Sequence, residues 1–343
     1  MSVAVGQARV AVSLMPLENR RDVLVSTAVA ADRLGYDGYY LPETWAYDTT
    51  IVLAEAALKT QRIGLGTGIL GVWNRSAGTL AMAAATLSAQ SGGRFLLGLG
   101  ASTPQLTEGL HDVSFTAPVA QLRRIVTQVR ALLRGERIPL ERVTAARALK
   151  LNLPSGPDVP IFLAALADES VRLAGELADG WLPFLYPRSH LAAGRTLLAE
   201  GAARRREGAA ELIVAPSVPT AVAEDAAVAR QGAAWFVAFY LTTMGALYRQ
   251  SLVRRGFAKE AEAVLAANTP RFTGEVPEAA ESLLEELTVF GTPAQARARL
   301  ARWHAAGADL PVLLLRPQQT PAEIALTLDA FRPMLAAGDG ARV

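Results

Sequence analysis

Short apolar runs typical of buried β-strands alternate along this chain with longer segments that have the spacing of helices. In the first helical segment Leu24, Ala28 and Ala31 fall on one face, and Gly35 ends it. The pattern predicts eight strands, at Arg9–Leu14, Asp37–Leu41, Arg62–Gly68, Arg94–Leu99, Val159–Ala164, Gly180–Pro183, Leu212–Ser217 and Pro311–Leu315. It predicts further helices at Thr49–Lys59, Glu169–Leu177, His190–Arg206 and Ala322–Leu335. It also predicts a long amphipathic helix that ends near Gly135, and a short hairpin around Arg147–Leu153.

This alternation indicates an α/β fold with a parallel sheet and helical crossovers. Strands that are apolar on both faces are typical of a sheet covered by helices. Eight units predict a (β/α)8 TIM barrel, in one domain over residues 1–343. The surplus over the usual length lies in Ala221–Thr288, which predicts a helical insertion between strands seven and eight. Two interpretations stay open: the insertion covers the site or builds a dimer contact, or it only adds core packing to the barrel wall.

Composition narrows the function classes. The 343 residues are 51% hydrophobic and 19% charged, with a net charge of +2, which gives no sign of nucleic-acid binding. The absence of cysteine excludes disulfides, thiolate nucleophiles and cysteine-based metal sites. The N-terminus lacks the features of a signal peptide, and no long uncharged apolar run occurs. We therefore expect a cytoplasmic protein that binds neither nucleic acid nor membrane, and no metal site.

A glycine pattern after the third predicted strand imitates a dinucleotide-binding site. Residues 66–71 match G-x-G-x-x-G, but the third glycine does not open a helix, and no acid follows at the distance that the ribose requires. No Asp or Glu occurs between Glu55 and Glu108, whereas Lys59, Arg62, Arg75 and Arg94 do. This acid-free span predicts a local positive field that favours an anionic ligand, although burial and chance explain it equally well.

With these strand ends placed, the chain resembles the bacterial luciferase-like superfamily, in particular its branch that uses the deazaflavin coenzyme F420. That branch includes methylenetetrahydromethanopterin reductase and F420-dependent glucose-6-phosphate dehydrogenase. The resemblance covers about Arg9 to Leu335. The segments that carry it are DRLGYDGYYLPE, RIGLGTGILGVWNRS, SGGRFLLGLGAS, VPIFLAAL, LAGELADGWLP and, near the end, FGTP with RWHAAGADLPVLLLRP.

The resemblance implies a TIM barrel that binds its cofactor at the C-terminal ends of the strands. It implies a non-prolyl cis peptide bond after strand three, here Gly68–Ile69, against which the cofactor ring leans. It also implies an acid and a polar residue after strand two, here Glu43 and Thr44, as the catalytic pair. Glu43 either bonds the cofactor or protonates substrate, or it is only an ion-pair member. Threonine replaces the histidine of the dehydrogenases, so that alcohol chemistry is in doubt.

The remaining site residues follow from the same resemblance. After strand five the usual glycine turn is replaced by residues 166–169, where Asp168 and Glu169 put negative charge near a phosphate site. Asp168 either N-caps the helix with its side chain turned away, or the phosphate is held elsewhere, with Arg188 as the candidate partner. The expected cofactor-binding residues are Ser13, Glu43, Gly68, Ile69, Leu70, Gly71, Ala101, Ser102, Leu166, Ala167 and Arg188. The expected substrate pocket comprises Trp45, Trp73 and Asn74.

Three functions are compatible with these residues. The first is an F420-dependent oxidoreductase that passes hydride to or from a small organic substrate. The second is a monooxygenase of the same fold that uses reduced FMN. The third is a barrel without cofactor that acts as a binding protein, which the altered turn at residues 166–169 suggests. Family resemblance also implies a homodimer.

Overall fold

Strands and helices alternate as the sequence predicts, which confirms the α/β class. The computed structural model describes residues 8–143, 145–153, 159–205, 211–332 and 334. The strands of this part are β1 (Ala11–Leu14), β2 (Gly38–Leu41), β3 (Gly64–Thr67), β4 (Leu70–Gly71), β5 (Phe95–Gly100), β6 (Ile161–Leu163), β7 (Gly180–Trp181), β8 (Ile213–Val214), β9 (Ser217–Val222), β10 (Val289–Gly291) and β11 (Val312–Leu315).

The helices of the same part lie between these strands and after the last of them. They are α1 (Arg21–Leu34), α2 (Thr49–Lys59), α3 (Ala77–Gln90), α4 (Pro104–His111), α5 (Pro118–Leu133), α6 (Asp168–Leu177), α7 (Leu191–Ala202), α8 (Ala226–Thr243), α9 (Leu247–Arg254), α10 (Ala258–Ala267), α11 (Glu281–Leu287), α12 (Pro293–Ala305) and α13 (Pro321–Ala330).

All described strand pairs are parallel. Ten strands follow the order β10-β9-β11-β1-β2-β3-β5-β6-β7-β8, and β4 pairs with β5. The strand β8 lies at one end of this path and β9 lies next to the other end, yet the two are separated in sequence only by Ala215 and Pro216. A parallel bridge between Phe184, just after β7, and Ser217 of β9 brings the two ends together. The arrangement is that of a TIM-barrel-like α/β fold, in which the carboxyl ends of all strands meet at one face.

Three details differ from the sequence prediction. The seventh predicted strand is longer and is interrupted at Pro216, because proline has no amide hydrogen for the ladder. A further strand, β10, pairs with β9 and lies after the helices α8 to α11. The predicted hairpin around Arg147–Leu153 is absent from its described residues, 147–153, where the Leu149 carbonyl accepts a single bond from the amide of Ile138.

The strands separate two layers of apolar side chains. Outward-facing residues such as Val12, Leu65 and Leu97 pack under the helices in the largest core cluster. A second set faces the interior of the sheet and includes Ala11, Tyr40 and Phe162. Because successive side chains of a strand point to opposite faces, Ser13 shares the interior face with Ala11. Interior positions near the carboxyl ends of the strands are therefore the places from which a ligand can be reached.

The helices α8 to α11 form a third apolar cluster. It contains Phe236, Leu252 and Leu283, and it also takes in Met15 after β1 and Leu314 of β11. These last two residues lie at the carboxyl ends of their strands, so the cluster lies over that face of the sheet. No described helix is both long enough and apolar enough to pass through a membrane.

Candidate functional site

The segment between β3 and β4 makes the tightest turn at the carboxyl face. The peptide bond between Gly68 and Ile69 is cis, which confirms the geometry implied by the resemblance. Two backbone hydrogen bonds fix this turn to the end of β2: the Gly68 amide donates to the Leu41 carbonyl at 2.8 Å, and the Glu43 amide donates to the Ile69 carbonyl at 3.1 Å. The backbone of strand two thus holds both sides of the cis bond.

The carboxylate of Glu43 is an ion-pair member. Its side chain is 9% exposed, and its two oxygens accept from Nε and Nη2 of Arg75 at 3.1 and 2.7 Å. Arg75 also contacts the Asp48 carboxylate at 2.8 Å. The Thr49 amide donates to the second Glu43 oxygen at 3.2 Å. Glu43 therefore connects the second strand end to the residues that follow β4.

Asn74 joins this network from the same turn. Its Nδ2 donates to Glu43 Oε1 at 3.3 Å and lies 3.3 Å from Nε2 of His111, at the end of α4. Its Oδ1 is buried and has no partner among the described residues. A Cβ at Gly71 would lie 2.7 Å from that oxygen, so a side chain larger than hydrogen at residue 71 requires Asn74 to move.

The three tryptophan and asparagine positions predicted to line a substrate pocket are only partly grouped. Trp73 packs against Phe115 with ring centroids 5.4 Å apart, and its buried Nε1 has no partner in the described chain. Asn74 follows it directly. Trp45 is 50% exposed, and among the described residues it forms no hydrogen bond or ring contact with the other two.

Ser13 and Thr44, the other residues predicted at the first and second strand ends, have hydroxyls that contact backbone carbonyls. Ser13 is 3% exposed, and its hydroxyl reaches only the carbonyl of the next residue, at 3.4 Å. The Thr44 hydroxyl donates to the Pro16 carbonyl at 3.3 Å and so fixes the second strand end to the loop after β1. A narrow pocket beside Thr44 is lined by Met15 and Tyr47 among others.

The turn after β5 presents unpaired backbone donors. Ser102 has a positive φ of 61°, and Thr103 caps α4 by accepting from the Leu106 amide at 3.3 Å. The amides of Ala101 and Ser102 donate to no described atom. Both residues are half-buried. Together with the cis turn, this turn forms a wall whose donors stay available for a ligand.

The turn before α6 is open and acidic. Ala167, not Asp168, is the N-cap residue, and it makes no side-chain cap, so the first of the two alternatives for Asp168, that it caps the helix, is wrong. Asp168 is the first helical residue and is exposed, like Glu169 beside it. Because an α-helix leaves its first amides without internal partners, the amides at the start of α6 are available. The Leu166 carbonyl accepts from Nη2 of Arg255 at 2.6 Å.

Arg255 was not predicted, and it brings a cation to this turn. It follows α9, and its guanidinium lies 4.0 Å from the ring centroid of Tyr186 and also donates to Ser251. Burial, and then the positive charge of Arg255, lower the pKa of His190. By contrast Arg188, the predicted phosphate partner, donates to Glu286 of α11 at 3.2 Å.

The cations of the acid-free span do not produce a free positive field. Lys59 pairs with Glu55 at 2.7 Å, and Arg62 donates to the Asp32 carbonyl. Arg94 donates to four backbone carbonyls and to the hydroxyl of Thr60, the residue that follows α2. Arg75 holds Glu43 and Asp48. Acids elsewhere in the sequence and backbone oxygens thus hold these cations, which favours burial and chance over a local positive field as the explanation of this span.

The described residues contain no group of three or more His, Asp or Glu side chains that could hold a metal ion. The site is instead built mainly from backbone groups. These are the cis turn after β3, the unpaired amides after β5, and the unpaired amides before α6 with the nearby cation of Arg255. Such a wall can bind a flat molecule that carries an anionic group, with the anion at the α6 end.

Comparisons with known proteins agree with this geometry. The profile of the luciferase-like monooxygenase family matches residues 4–310. The chain is 33% identical over 309 residues to a Mycobacterium tuberculosis protein named "Putative coenzyme F420-dependent oxidoreductase", covering 83% of this chain and 88% of that one. It is 27% identical over 281 residues to 5,10-methylenetetrahydromethanopterin reductase of Methanolobus tindarius, covering 80% and 84%.

A solved structure shares the fold. The coenzyme F420-dependent tetrahydromethanopterin reductase of Methanopyrus kandleri superposes with a TM-score of 0.78 at 19% identity, over 97% of this chain and 99% of that one. The family profile spans most of the chain, and the first of the relatives is matched over most of its length. The resemblance drawn from the strand-end motifs is thereby confirmed, and the chain belongs to the luciferase-like monooxygenase family.

Proposed function

We propose that this chain is an F420-dependent oxidoreductase that transfers a hydride between the deazaflavin and a small organic substrate. Both sequence relatives described above carry names of F420-dependent enzymes or of a reductase. The single observation that carries the proposal is the cis turn at Gly68–Ile69 beside the open amides of Ala101 and Ser102. When bound, a deazaflavin supplies a two-electron hydride carrier, so the protein has only to orient it and the substrate.

The residues present fit such a cofactor. Residues 68–71 provide the wall on which a flat ring can lean, and Ser13 reaches the same space from the interior of the sheet. The amides of Ala101 and Ser102 can donate to ring oxygens. The amides of Leu166 and Ala167 donate to no described atom and can bind a phosphate at the start of α6.

The acids at the start of α6 are accommodated by the neighbouring cations. Asp168 and Glu169 are exposed, which lets their side chains point to solvent, and acids in a first helical turn stabilise the helix. We propose that Arg255 supplies the positive charge on the other side of the turn. Arg188 reaches the phosphate only by leaving Glu286, so it is the secondary partner.

Glu43 and Thr44, the predicted catalytic pair, lie just after β2, and both side chains form hydrogen bonds with other protein groups. The Arg75 pair uses both Glu43 oxygens, so we propose that this carboxylate acts by holding Arg75 and Asn74 against the cis turn. Thr44 fixes the loop after β1 in the same way. The substrate wall then comprises Trp45, Trp73 and Asn74, and the hydride exchange needs no nucleophile or metal.

We propose a single-domain (β/α)8 barrel as the frame of this site. Taking β8 and β9 as one interrupted strand, and leaving aside β4 and β10, which each pair with a single strand, gives eight strands that return on themselves through the Phe184–Ser217 bridge. The helices α8 to α11 then form an insertion between strands seven and eight. We propose that the enzyme is cytoplasmic and that its partners are small molecules, not nucleic acid.

We also propose that the enzyme is a homodimer. Ile51 and Leu58 are two turns apart on α2 and about 70% exposed, and Met82 on the adjacent α3 is 50% exposed. Apolar side chains this exposed on neighbouring helices are typical of an interface. Leu58→Glu should convert a dimer to a monomer in light scattering, whereas Val228→Glu, at a similarly exposed site on α8, should not. A wild-type monomer contradicts the proposal.

The cofactor is tested by titrating the purified protein with F420 and, in parallel, with FMN, and following fluorescence. Binding of F420 at micromolar concentrations, at least about tenfold tighter than FMN, is expected. Preference for FMN, with oxygen consumed in the presence of reduced FMN, favours the second candidate, a monooxygenase. The description of the matched family, luciferase-like monooxygenase, supports this candidate. Binding of neither cofactor contradicts both enzymes and favours a barrel that acts only as a binding protein.

A further inference from the structure

Three aromatic side chains meet at the carboxyl face, at the junction of β7 with α8 and α9. The ring centroids of Phe184 and Tyr240 are 4.7 Å apart, those of Phe184 and Tyr248 are 5.5 Å apart, and those of the two tyrosines are 5.4 Å apart. All three pairs are edge-to-face, with interplanar angles of 78° to 87°. This geometry fixes the direction of each ring, because each edge lies against a neighbouring face.

The two tyrosine hydroxyls in this group have no partner in the part of the chain that the structure describes. Tyr240 is 4% exposed and Tyr248 is half-buried, yet no described residue forms a hydrogen bond to either hydroxyl. Neither hydroxyl belongs to the described polar atoms that are sealed from solvent without a partner. Buried rings with hydroxyls that solvent can reach therefore face a space, and buried tyrosine hydroxyls usually find a partner.

This space lies on the face of the sheet that carries the candidate site. Tyr240 belongs to the same apolar cluster as Met15 and Leu314, at the ends of β1 and β11, and Phe184 and Tyr248 pack against that cluster. The turn between α8 and α9 crosses toward the turn after β5: a Cβ at Gly245 would lie 4.0 Å from Oε1 of Gln105 in α4. The tyrosines thus belong to the helices that cover the carboxyl ends of the strands.

No charged side chain in the described part of the chain acts on the two hydroxyls. Burial, followed for Tyr240 by the nearby Tyr248, raises the pKa of both phenols, so they remain protonated donors at neutral pH. No carboxylate or guanidinium of the described residues pairs with them. The cluster in which the two rings pack is aromatic and aliphatic. A ligand that satisfies this environment is neutral and largely apolar, with one oxygen that accepts two hydrogen bonds.

We propose that the hydroxyls of Tyr240 and Tyr248 bind the oxygen of a neutral, mainly apolar carbonyl compound or alcohol, which is the substrate class of the enzyme. The assignment of this ligand as the hydride partner rests on the proposed function; the binding site itself does not. The apolar part of the ligand supplies most of the binding energy, and the two phenol hydroxyls select for a ligand that carries the oxygen. A site built to bond an oxygen rejects an analogue that lacks it, because its polar groups are left unpaired.

The test uses two probes of equal shape. Acetophenone carries a planar carbonyl where ethylbenzene has a methylene group, so the two are similar in size and only the first can accept a hydrogen bond; their affinities for the full chain are measured by ligand-observed NMR, with and without F420. The wild type is expected to bind acetophenone at least about tenfold tighter than ethylbenzene. In the variants Tyr240→Phe and Tyr248→Phe the ratio should fall, and in the double variant it should approach one.

The controls separate this site from the fold and from the cofactor. Tyr36→Phe removes a buried hydroxyl that donates to the Leu328 carbonyl at 2.9 Å and should leave the ratio unchanged. Thermal unfolding by circular dichroism shows that each variant is folded. F420 affinity should change less than about twofold in the double variant; a large loss means that the tyrosines serve the cofactor and overturns the proposal.

Failure of this inference and failure of the proposed function are distinguishable. If F420 binds but the wild type does not prefer acetophenone, or binds neither probe, the tyrosine site is refuted while the oxidoreductase stands. If acetophenone is preferred through the tyrosines but F420 does not bind, the site stands and the hydride role falls. An unchanged ratio in the double variant overturns the site in either case.

Discussion

The turn after the third strand and the turn before α6 are opposite solutions to the same task. In the first, residues 68–75, the backbone is bonded to β2 on both sides of the cis bond, and the Glu43–Arg75 pair and Asn74 fix its far end. In the second, residues 166–169, the helix begins without a side-chain cap, and only the Arg255 contact to Leu166 reaches it from outside.

The difference shows which contacts can form without ligand. A surface against which a ring leans must be rigid before binding, so its polar groups are bonded to protein. A surface that receives an anion must keep its donors free, so it depends on the ligand for partners. We therefore expect changes in the first turn to affect stability and changes in the second to affect mainly affinity.

Arg75→Ala should have the largest effect. It leaves the Glu43 carboxylate, 9% exposed, without its ion-pair partner, and breaking a buried pair of this kind costs about 3–5 kcal/mol. Urea unfolding measures the loss in the free energy of unfolding. Arg123→Ala is the matched control, because that side chain is 46% exposed in its pair with Glu176 and should cost less than about 1 kcal/mol. Equal losses in both variants contradict the assignment of the first turn as rigid.

Gly71→Ala should have the next largest effect. The new methyl group would approach Asn74 Oδ1 to 2.7 Å, so Asn74 must leave Glu43 and His111. We expect a loss of about 1–2 kcal/mol in unfolding free energy and a weaker affinity for F420. In the control Gly78→Ala, the nearest atom is Ser76 Oγ at 3.7 Å, and a helical alanine should stabilise by up to about 1 kcal/mol. Equal signs for the two variants refute this role of Asn74.

Local pattern in the sequence predicts the first of these turns better than the second. Buried apolar runs identify the strands, and the small residues at their ends identify the turns that follow them. The cis bond in the first turn was predicted through the family resemblance. The pairing of Glu43 with Arg75 was not predicted, because the two are 32 positions apart and only the parallel alignment of β2 and β3 brings their loops together. Arg75 was visible only as one cation of an acid-free span.

The parts that depend on the helices between β9 and β10 were beyond the sequence pattern. Arg255 lies 89 positions from the Leu166 carbonyl that it binds, and nothing in its local sequence indicates a partner. The same holds for Tyr240 and Tyr248, which the sequence places in the helical insertion without showing whether they face the site or the core. The alternative in which Asp168 caps α6 failed because a sequence pattern does not fix a helix boundary to within one residue.

Substitutions at Asp168 should change affinity more than stability. Asp168→Asn removes an exposed negative charge next to the proposed phosphate site and should tighten F420 binding by about threefold, with less than about 1 kcal/mol lost from the helix start. Asp168→Pro removes the same charge and also the amide, at a first helical position where proline is favoured. Titration with F420 compares the two.

If the amide of residue 168 binds the phosphate, the proline variant binds F420 more weakly than the asparagine variant although both lack the charge. Glu262→Gln, an exposed change on α10, controls for net charge and should leave the affinity unchanged. Equal affinities of the asparagine and proline variants would show that the helix start does not contact the anion.

The smallest effect that we predict reports on the field at the second turn without any ligand. Burial and then the charge of Arg255 lower the pKa of His190, because its protonated form is both desolvated and repelled. Arg255→Gln removes the repulsion, so the NMR titration midpoint of His190 should move to higher pH. Arg255→Lys keeps the charge and should leave the midpoint nearly in place, as should Arg254→Gln at an exposed neighbouring position.

Salt separates the two causes of this shift. Counterions screen the repulsion between His190 and Arg255 but do not restore lost hydration, so added salt should move the wild-type midpoint toward that of Arg255→Gln and leave the variant almost unchanged. A midpoint that ignores both the substitution and the salt would mean that burial alone sets this pKa. The second turn would then hold no usable positive field, and its open amides would have to bind an anion against the charges of Asp168 and Glu169 unaided.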